Sequence, residues 1–210
     1  MSKSIKTYTA KTPLVLRKLF PKYQWRFSST EKELFLTFDD GPTPQVTEFV
    51  LDQLAKYNAK ATFFCIGKNA LQQSNLYQRI IEDGHAVGNH THNHMKGWKN
   101  KKGEYIANVE KAAKVIHSSL FRPPYGKIRK KQAKALIESG YKIIMWDVLS
   151  GDFDTTISRE KCLNNVIENT ESGSIVVFHD SIKAQKRIEY ALPKVLEYFT
   201  KKGYLFKAIS

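Results

Sequence analysis

Seven short runs rich in apolar, β-branched and aromatic residues recur along this chain, at 34–38, 62–66, 85–88, 120–122, 142–146, 174–178 and 204–208, and helix-period stretches separate them. Two parallel strands cannot be joined by a tight turn; the chain must cross over, usually through a helix. The alternation therefore predicts a parallel sheet covered by helices. Two architectures satisfy it, a distorted (β/α) barrel of about seven strands and an open doubly wound sheet, and periodicity does not choose between them. In both, chemistry gathers at the C-terminal edge of the strands. Asp39-Asp40, His90, Arg122, Asp147, Asp152 and His179-Asp180 follow strand-like runs and fall at that edge.

The first crossover shows the helical signal. Thr43 suits a cap, Pro44 suits the first helical position, and Val46, Phe49, Val50 and Leu54 recur at three- and four-residue steps, with an end expected near Tyr57-Asn58. Further amphipathic stretches cover about 75–82, 104–118, 129–138, 159–169 and 188–200, and Gly84, Gly140 and Gly203 stand as stops behind three of them. No repeat, low-complexity stretch or linker divides the 210 residues, so one α/β domain over 31–210 is expected behind a basic arm, 1–30.

A formal charge of +14 favours anionic polymers or an anionic membrane surface. The lysines are scattered and carry no nucleic-acid recognition signature, so a solvated basic surface is expected and no nucleic-acid partner. Cys65 in an apolar run and Cys162 in a helical stretch suggest neither a disulfide framework nor a thiolate metal site. The longest uncharged apolar piece of the N-terminus, residues 13–16, is too short for a signal peptide or a membrane span. The sequence as given thus reads as cytoplasmic or peripheral to the inner membrane, and as extracytoplasmic if the chain is processed. Leu14, Val15, Leu16, Leu19 and Phe20, interleaved with Arg17, Lys18 and Lys22, fit an arm packed on the domain; they also fit a basic amphipathic segment in peripheral contact with a membrane.

Two clusters carry chemistry. Thr37-Phe38-Asp39-Asp40-Gly41-Pro42 places adjacent carboxylates where a strand breaks into a turn, so that one acid can bind a metal while its neighbour handles protons. The same residues fit an ordinary loop with Asp side chains capping backbone N–H groups. His90-Thr91-His92-Asn93-His94 gathers three of the chain's six histidines. A four-residue spacing aims two imidazoles at one point, on a helical turn or around a tight loop; with one Asp they leave positions open on a divalent metal, as a catalytic site requires. A solvated polar loop is the competing reading.

TFDDGP at 37–42, the H-T-x-x-H form at 90–94, RPPYG at 122–126 and VFHD at 177–180 together resemble the polysaccharide deacetylase family, also called carbohydrate esterase family four, over roughly 33–209. The resemblance implies a deformed seven-strand (β/α) barrel and a metal held by Asp40, His90 and His94, usually zinc, with cobalt or another divalent ion as alternatives. It implies Asp39 as general base, Arg122 fixing its carboxylate, the Tyr125 N–H as oxyanion donor, and His179 as general acid oriented by Asp152, six residues after Trp146. Phe153 and Leu149 stand where the family often has Trp and Asp, which bears on the substrate groove.

The implied activity is removal of N-acetyl groups from an amino-sugar polymer or glycan, chitin- or peptidoglycan-like, with release of acetate. The alternatives are a deformylase or deacetylase of a lipid-linked amino sugar, and a glycan-binding module without turnover. His85 reads as a strand-edge histidine, His117 as a helix-surface one, and His92 as pointing away from its neighbours. Asp147 and Asp180 read as supporting or capping groups. Trp146, Phe153 and Tyr125 fit a sugar-stacking wall or core equally.

Overall fold

The computed structural model describes residues 8–210. Its strands are β1 (Glu33–Asp39), β2 (Thr62–Cys65), β3 (Ala86–Asn89), β4 (Leu120–Phe121), β5 (Lys142–Ile143), β6 (Val148–Leu149), β7 (Ile175–His179) and β8 (Leu205–Phe206). Its helices are α1 (Leu14–Leu19), α2 (Val46–Lys56), α3 (Gly67–Gln72), α4 (Ser74–Glu82), α5 (Lys102–Ala113), α6 (Lys130–Glu138), α7 (Arg159–Ile167) and α8 (Gln185–Lys201).

All strand pairs are parallel, in the order β5-β4-β3-β2-β1-β7-β6, with β8 beside the start of β1. β1 is central and buried from Leu34 onward, which explains its continuous apolar run. The seven-strand path curls, because its two outermost members are the ends of one bent segment, 142–149. The expected strand at 142–146 therefore stops at Ile143. The carbonyls of Ile144 and Met145 accept hydrogen bonds from the Arg122 side chain, so they are lost to a regular ladder. Helices α2, α7 and α8 bury the outer face of β1, β2 and β7 in the main apolar core, which includes Leu36, Phe38, Phe63, Leu192 and Phe199.

Two helix boundaries differ from expectation for local reasons. Thr43 does not cap α2, and Pro44 precedes it by two residues: the Pro44 carbonyl closes a turn on the Val46 N–H, and Thr43 donates its own N–H to Thr47 Oγ1. α5 ends at Ala113 because the Val115 and Ile116 N–H groups both fold back on the Ala112 carbonyl, turning Ile116 into the core. His117 consequently lies in an exposed loop rather than on a helix. His85 is buried just before β3, where its Nδ1 accepts the Ala61 N–H at 3.2 Å; burial, with Lys60 nearby, pulls it down to about 4.

Residues 8–27 run along the bent segment. Ala10, Thr12 and Gln24 exchange backbone hydrogen bonds with Leu149, Asp147, Ile143 and Met145, and Phe27 bonds Gly173. The docking is ionic as well. Asp147, fully buried, accepts from Lys11 Nζ at 2.9 Å, from Ser174 Oγ at 2.6 Å and from Arg17. Asp147 thus anchors the arm instead of joining the mouth of the sheet. Among the described residues no helix is long and apolar enough to cross a membrane.

Removing one side of a buried ion pair strands the other, and the cost depends on whether the survivor can reach water. Asp147 cannot, whereas Lys11 is partly exposed and also pairs with Glu171, and Arg17 retains the Thr12 carbonyl. The double variant Lys11→Ala/Arg17→Ala should lose about 3 kcal/mol by denaturant titration, and Asp147→Asn distinctly less. An equal or reversed order would show that Asp147 is not the group that depends on the arm.

Candidate active site

β1 ends at Asp39 and β7 at His179, and in the register of these neighbouring strands the two residues are partners. A carboxylate and an imidazole thereby sit at one level on the C-terminal edge. Asp39 is buried, and its Oδ1 accepts from Arg122 Nη1 at 2.6 Å. Arg122, directly after β4, is itself fully buried. Its guanidinium stacks 4.0 Å from the Phe64 ring centre, and its remaining bonds reach Thr37 Oγ1 at 2.7 Å and the carbonyls of Ile144 and Met145 at 3.1 and 2.9 Å.

The chain then turns sharply. Asp40 takes φ 81°, and Asn69 Nδ2 holds its carbonyl at 2.8 Å. The Gly41-Pro42 bond is cis. Gly41 is required by contact: a Cβ there would lie 1.8 Å from Asp180 Oδ2. The buried Asp180 carboxyl instead receives the Gly41 N–H at 3.0 Å and the Thr47 hydroxyl at 2.5 Å, pinning the turn to β7 and α2. Burial pushes Asp180 up to about 8, with Thr47 opposing and Asp40 adding to the shift. Asp180 is thus a supporting group for the turn.

His90 and His94 lie on a tight loop after β3, not on a helical turn. Thr91 and His94 adopt φ of 64° and 57°; Asn89 Oδ1 accepts the Thr91 N–H and Thr91 Oγ1 the Met95 N–H, each at 2.9 Å. The loop brings His94 Nε2 to 3.1 Å and His90 Nε2 to 3.6 Å from Asp40 Oδ1, with one ligand atom from each residue within 4.8 Å of the others. His92 lies outside the set, with Nδ1 against Gly67 of α3.

The donor set suits a divalent cation on three observations. Asp40 Oδ1 is buried yet accepts no well-formed hydrogen bond, an orphaned acceptor between two imidazoles. His90 Nδ1 faces the Arg122 carbonyl at 2.8 Å, so it must carry the proton, which leaves Nε2 a lone pair aimed at the cluster. Burial, helped by His94, holds His90 down at about 4 against the pull of Asp39 and Asp40. A neutral imidazole is the ligand form. Burial works to raise Asp40, but His94, His179 and His90 together keep it well below the usual carboxylate range.

His179 has the opposite surroundings. Its Nδ1 meets Asp152 Oδ1 at 2.8 Å, its backbone N–H donates to Oδ2 at 2.6 Å, and Arg187 Nε holds the Asp152 carbonyl at 2.6 Å. Burial alone would lower His179, but the charge and hydrogen bond of Asp152, with Asp40 and Asp39 behind, raise it to about 9.

Tyr125 (φ 61°) occupies the one-turn segment Pro124–Gly126, in which Pro124 has no N–H and Gly126 donates its own to the Pro123 carbonyl at 2.9 Å, and the Tyr125 ring lies 4.6 Å from that of His94. Trp146 packs under this segment against Gly126, so it supports the loop. Phe153 stands edge-on to His179 at 5.1 Å and also touches Tyr8 at 5.2 Å.

Tyr125, a sugar-stacking candidate by sequence, is joined in a neighbouring rim by Trp98, which no sequence motif marks. Trp98 is 57 % exposed and Tyr125 51 %, with Lys96 over the Tyr125 ring at 4.6 Å and Lys127 over the Trp98 ring at 5.3 Å. The loops that follow β3 and β4 meet here. Gly97 packs against Lys127 and Ile128, a contact between segments thirty residues apart that no local pattern announces.

The profile of the family described as polysaccharide deacetylase matches residues 28–144. A peptidoglycan-N-acetylglucosamine deacetylase of Bacillus cereus is 36% identical over 193 residues, covering 89% of this chain and 90% of that protein. A chitooligosaccharide deacetylase of Azorhizobium caulinodans is 31% identical, covering 74% of this chain and 77% of its own. The crystal structure of the Bc1960 peptidoglycan N-acetylglucosamine deacetylase superposes with a TM-score of 0.86 at 31% identity, covering 94% of this chain and 95% of that one. On its sequence, its curled parallel sheet and the arrangement of its four motifs, the chain belongs to the polysaccharide deacetylase family.

Proposed function

We propose that this chain hydrolyses the N-acetyl amide of amino-sugar units in a peptidoglycan- or chitin-like glycan, releasing acetate. The observation that carries the reading is the placement of Asp39 and His179 as register partners beside the Asp40, His90 and His94 cluster. An amide is a poor electrophile with a poor leaving group, so its hydrolysis needs a base for water, a charge acceptor for the oxyanion and an acid for the amine. Asp40, His90 and His94 would hold a divalent ion, zinc by ligand type, with cobalt or another divalent ion compatible with the same two nitrogens and one oxygen. When bound, the ion supplies Lewis acidity, polarising the carbonyl and lowering the pKa of water.

The chain's own residues do the rest. Arg122 fixes one oxygen of Asp39 and leaves the other to take the proton of the attacking water. The Tyr125 N–H donates to the developing oxyanion. Asp152 takes the Nδ1–H of His179, so Nε2–H faces the departing amine and protonates it. The half-exposed Trp98 and Tyr125 rings of the rim suit contact with sugars, and Lys96 and Lys127, which lie over them, favour a glycan bearing carboxylates, as peptidoglycan does, over a neutral one.

The direct test reloads metal-stripped protein with zinc or cobalt and scores acetate and formate release from peptidoglycan fragments, chitooligosaccharides and a lipid-linked amino sugar. Acetate should come from the glycans, fastest from peptidoglycan. Asp39→Asn should keep its metal and lose about 10²- to 10⁴-fold in turnover, while His94→Ala should lose most of its metal by elemental analysis. Formate as the product, or full metal occupancy in His94→Ala, would overturn the assignment.

The raised pKa of His179 fixes a sign. The imidazolium persists below about 9, so an acid step by His179 holds at neutral pH and fails as pH rises through that value. Asp152→Asn removes the main support for the charged form, so the alkaline limb of the kcat profile should move to lower pH. The loss should be smaller on an activated aryl acetate, whose leaving group needs no proton. An unmoved limb with equal losses on both substrates would remove His179 from the acid role.

A further inference from the structure

Helix α1 is docked inside out. Arg17 turns inward to the buried Asp147, while Leu14, Val15 and Leu19 are 66–68% exposed and no α1 residue is buried. Four of the ten large hydrophobic residues exposed among the described residues lie in this six-residue helix. Singly scattered apolar residues need no explanation, but a contiguous patch does.

Charge says what covers it. Residues 1–30 contain seven lysines and arginines and no acidic residue; Lys11, Arg17 and Arg26 are ion-paired with Asp147 and Glu171 of the domain, which leaves the lysines at α1 to face outward. Lys18, within α1, and Lys22, just beyond it, are both exposed. A second copy of the chain would bring this basic segment against itself, whereas a purely ionic polymer would leave the leucines unused. Aliphatic residues interleaved with lysines fit the boundary of a bilayer rich in anionic lipid, with acyl chains taking the leucines and headgroups the ammonium groups.

We infer that α1 is a membrane-contact element that rests the domain on an anionic lipid surface. The Arg17–Asp147 pair holds the helix so that its apolar residues face away from the protein. The inference does not depend on the hydrolytic reading. Tyr8, which bonds Asp154 at 2.7 Å and touches Phe153, lies six residues before Leu14, so the contact surface and the His179 side of the site share one short segment.

The test is co-sedimentation of the full 210-residue chain with phosphatidylcholine vesicles, with and without phosphatidylglycerol, over a range of salt. The chain should bind the phosphatidylglycerol vesicles and bind neutral ones far less. Leu14→Ser/Val15→Ser/Leu19→Ser should weaken that binding about ten-fold or more with an unchanged Tm, because none of these side chains supports the core. Lys18→Gln/Lys22→Gln should weaken it and flatten its salt dependence. Equal binding by the triple serine variant would reduce the effect to general charge and overturn the inference, as would no binding to either vesicle. Concentration-dependent self-association lost in the serine variant would overturn it in favour of a second copy.

Discussion

A fully buried guanidinium organises this molecule. Removing an arginine side chain from water costs several kcal/mol unless its donors find acceptors, and Arg122 finds them in a carboxylate, a hydroxyl and two carbonyls. These acceptors belong to β1 and to the bent segment that closes the curl, while the backbone carbonyl of Arg122 grips His90 at the end of β3. One residue therefore sets the orientation of Asp39, the tautomer of the His90 imidazole and the path of the chain between β5 and β6. Asp39 in turn returns the counter-charge that makes burial of Arg122 tolerable; burial pulls the guanidinium downward and Asp39 opposes it.

The same principle separates the histidines. His90 and His179 are both enclosed, yet one is held near 4 and the other near 9. The difference is the group at Nδ1: a neutral carbonyl for His90, which leaves burial to win, and the Asp152 carboxylate for His179, which overrides it. The proposed reading, with one imidazole as a lone-pair donor and another as a proton donor, takes both from one residue type by exchanging a single neighbour.

Much of this was legible from sequence. The alternation of strand-like runs and helical stretches foretold the parallel sheet, and the motifs at 37–42, 90–94, 122–126 and 177–180 are the segments that meet at its C-terminal edge. What stayed hidden depends on distant partners. The strand at 142–146 breaks because Arg122 claims its carbonyls, α5 stops because Ile116 turns inward, and Asp147 faces the arm because Lys11 and Arg17 lie across from it. Periodicity within one segment records none of these. Trp98, which joins Tyr125 at the rim, escaped notice for the same reason.

If Arg122 and Asp39 act as one unit, a double-mutant cycle on acetate release will show it. Arg122→Lys keeps a positive charge but loses the planar fork, and Asp39→Asn keeps the shape but loses the carboxylate to which the proposed function assigns the base role. With metal content and Tm followed in each variant, kcat/KM should fall steeply in both single variants and scarcely further when the two are combined, because a misoriented base and an absent base are the same defect. Losses that simply multiply would mean that the two residues contribute independently, and the account of Arg122 as the organising group would be wrong.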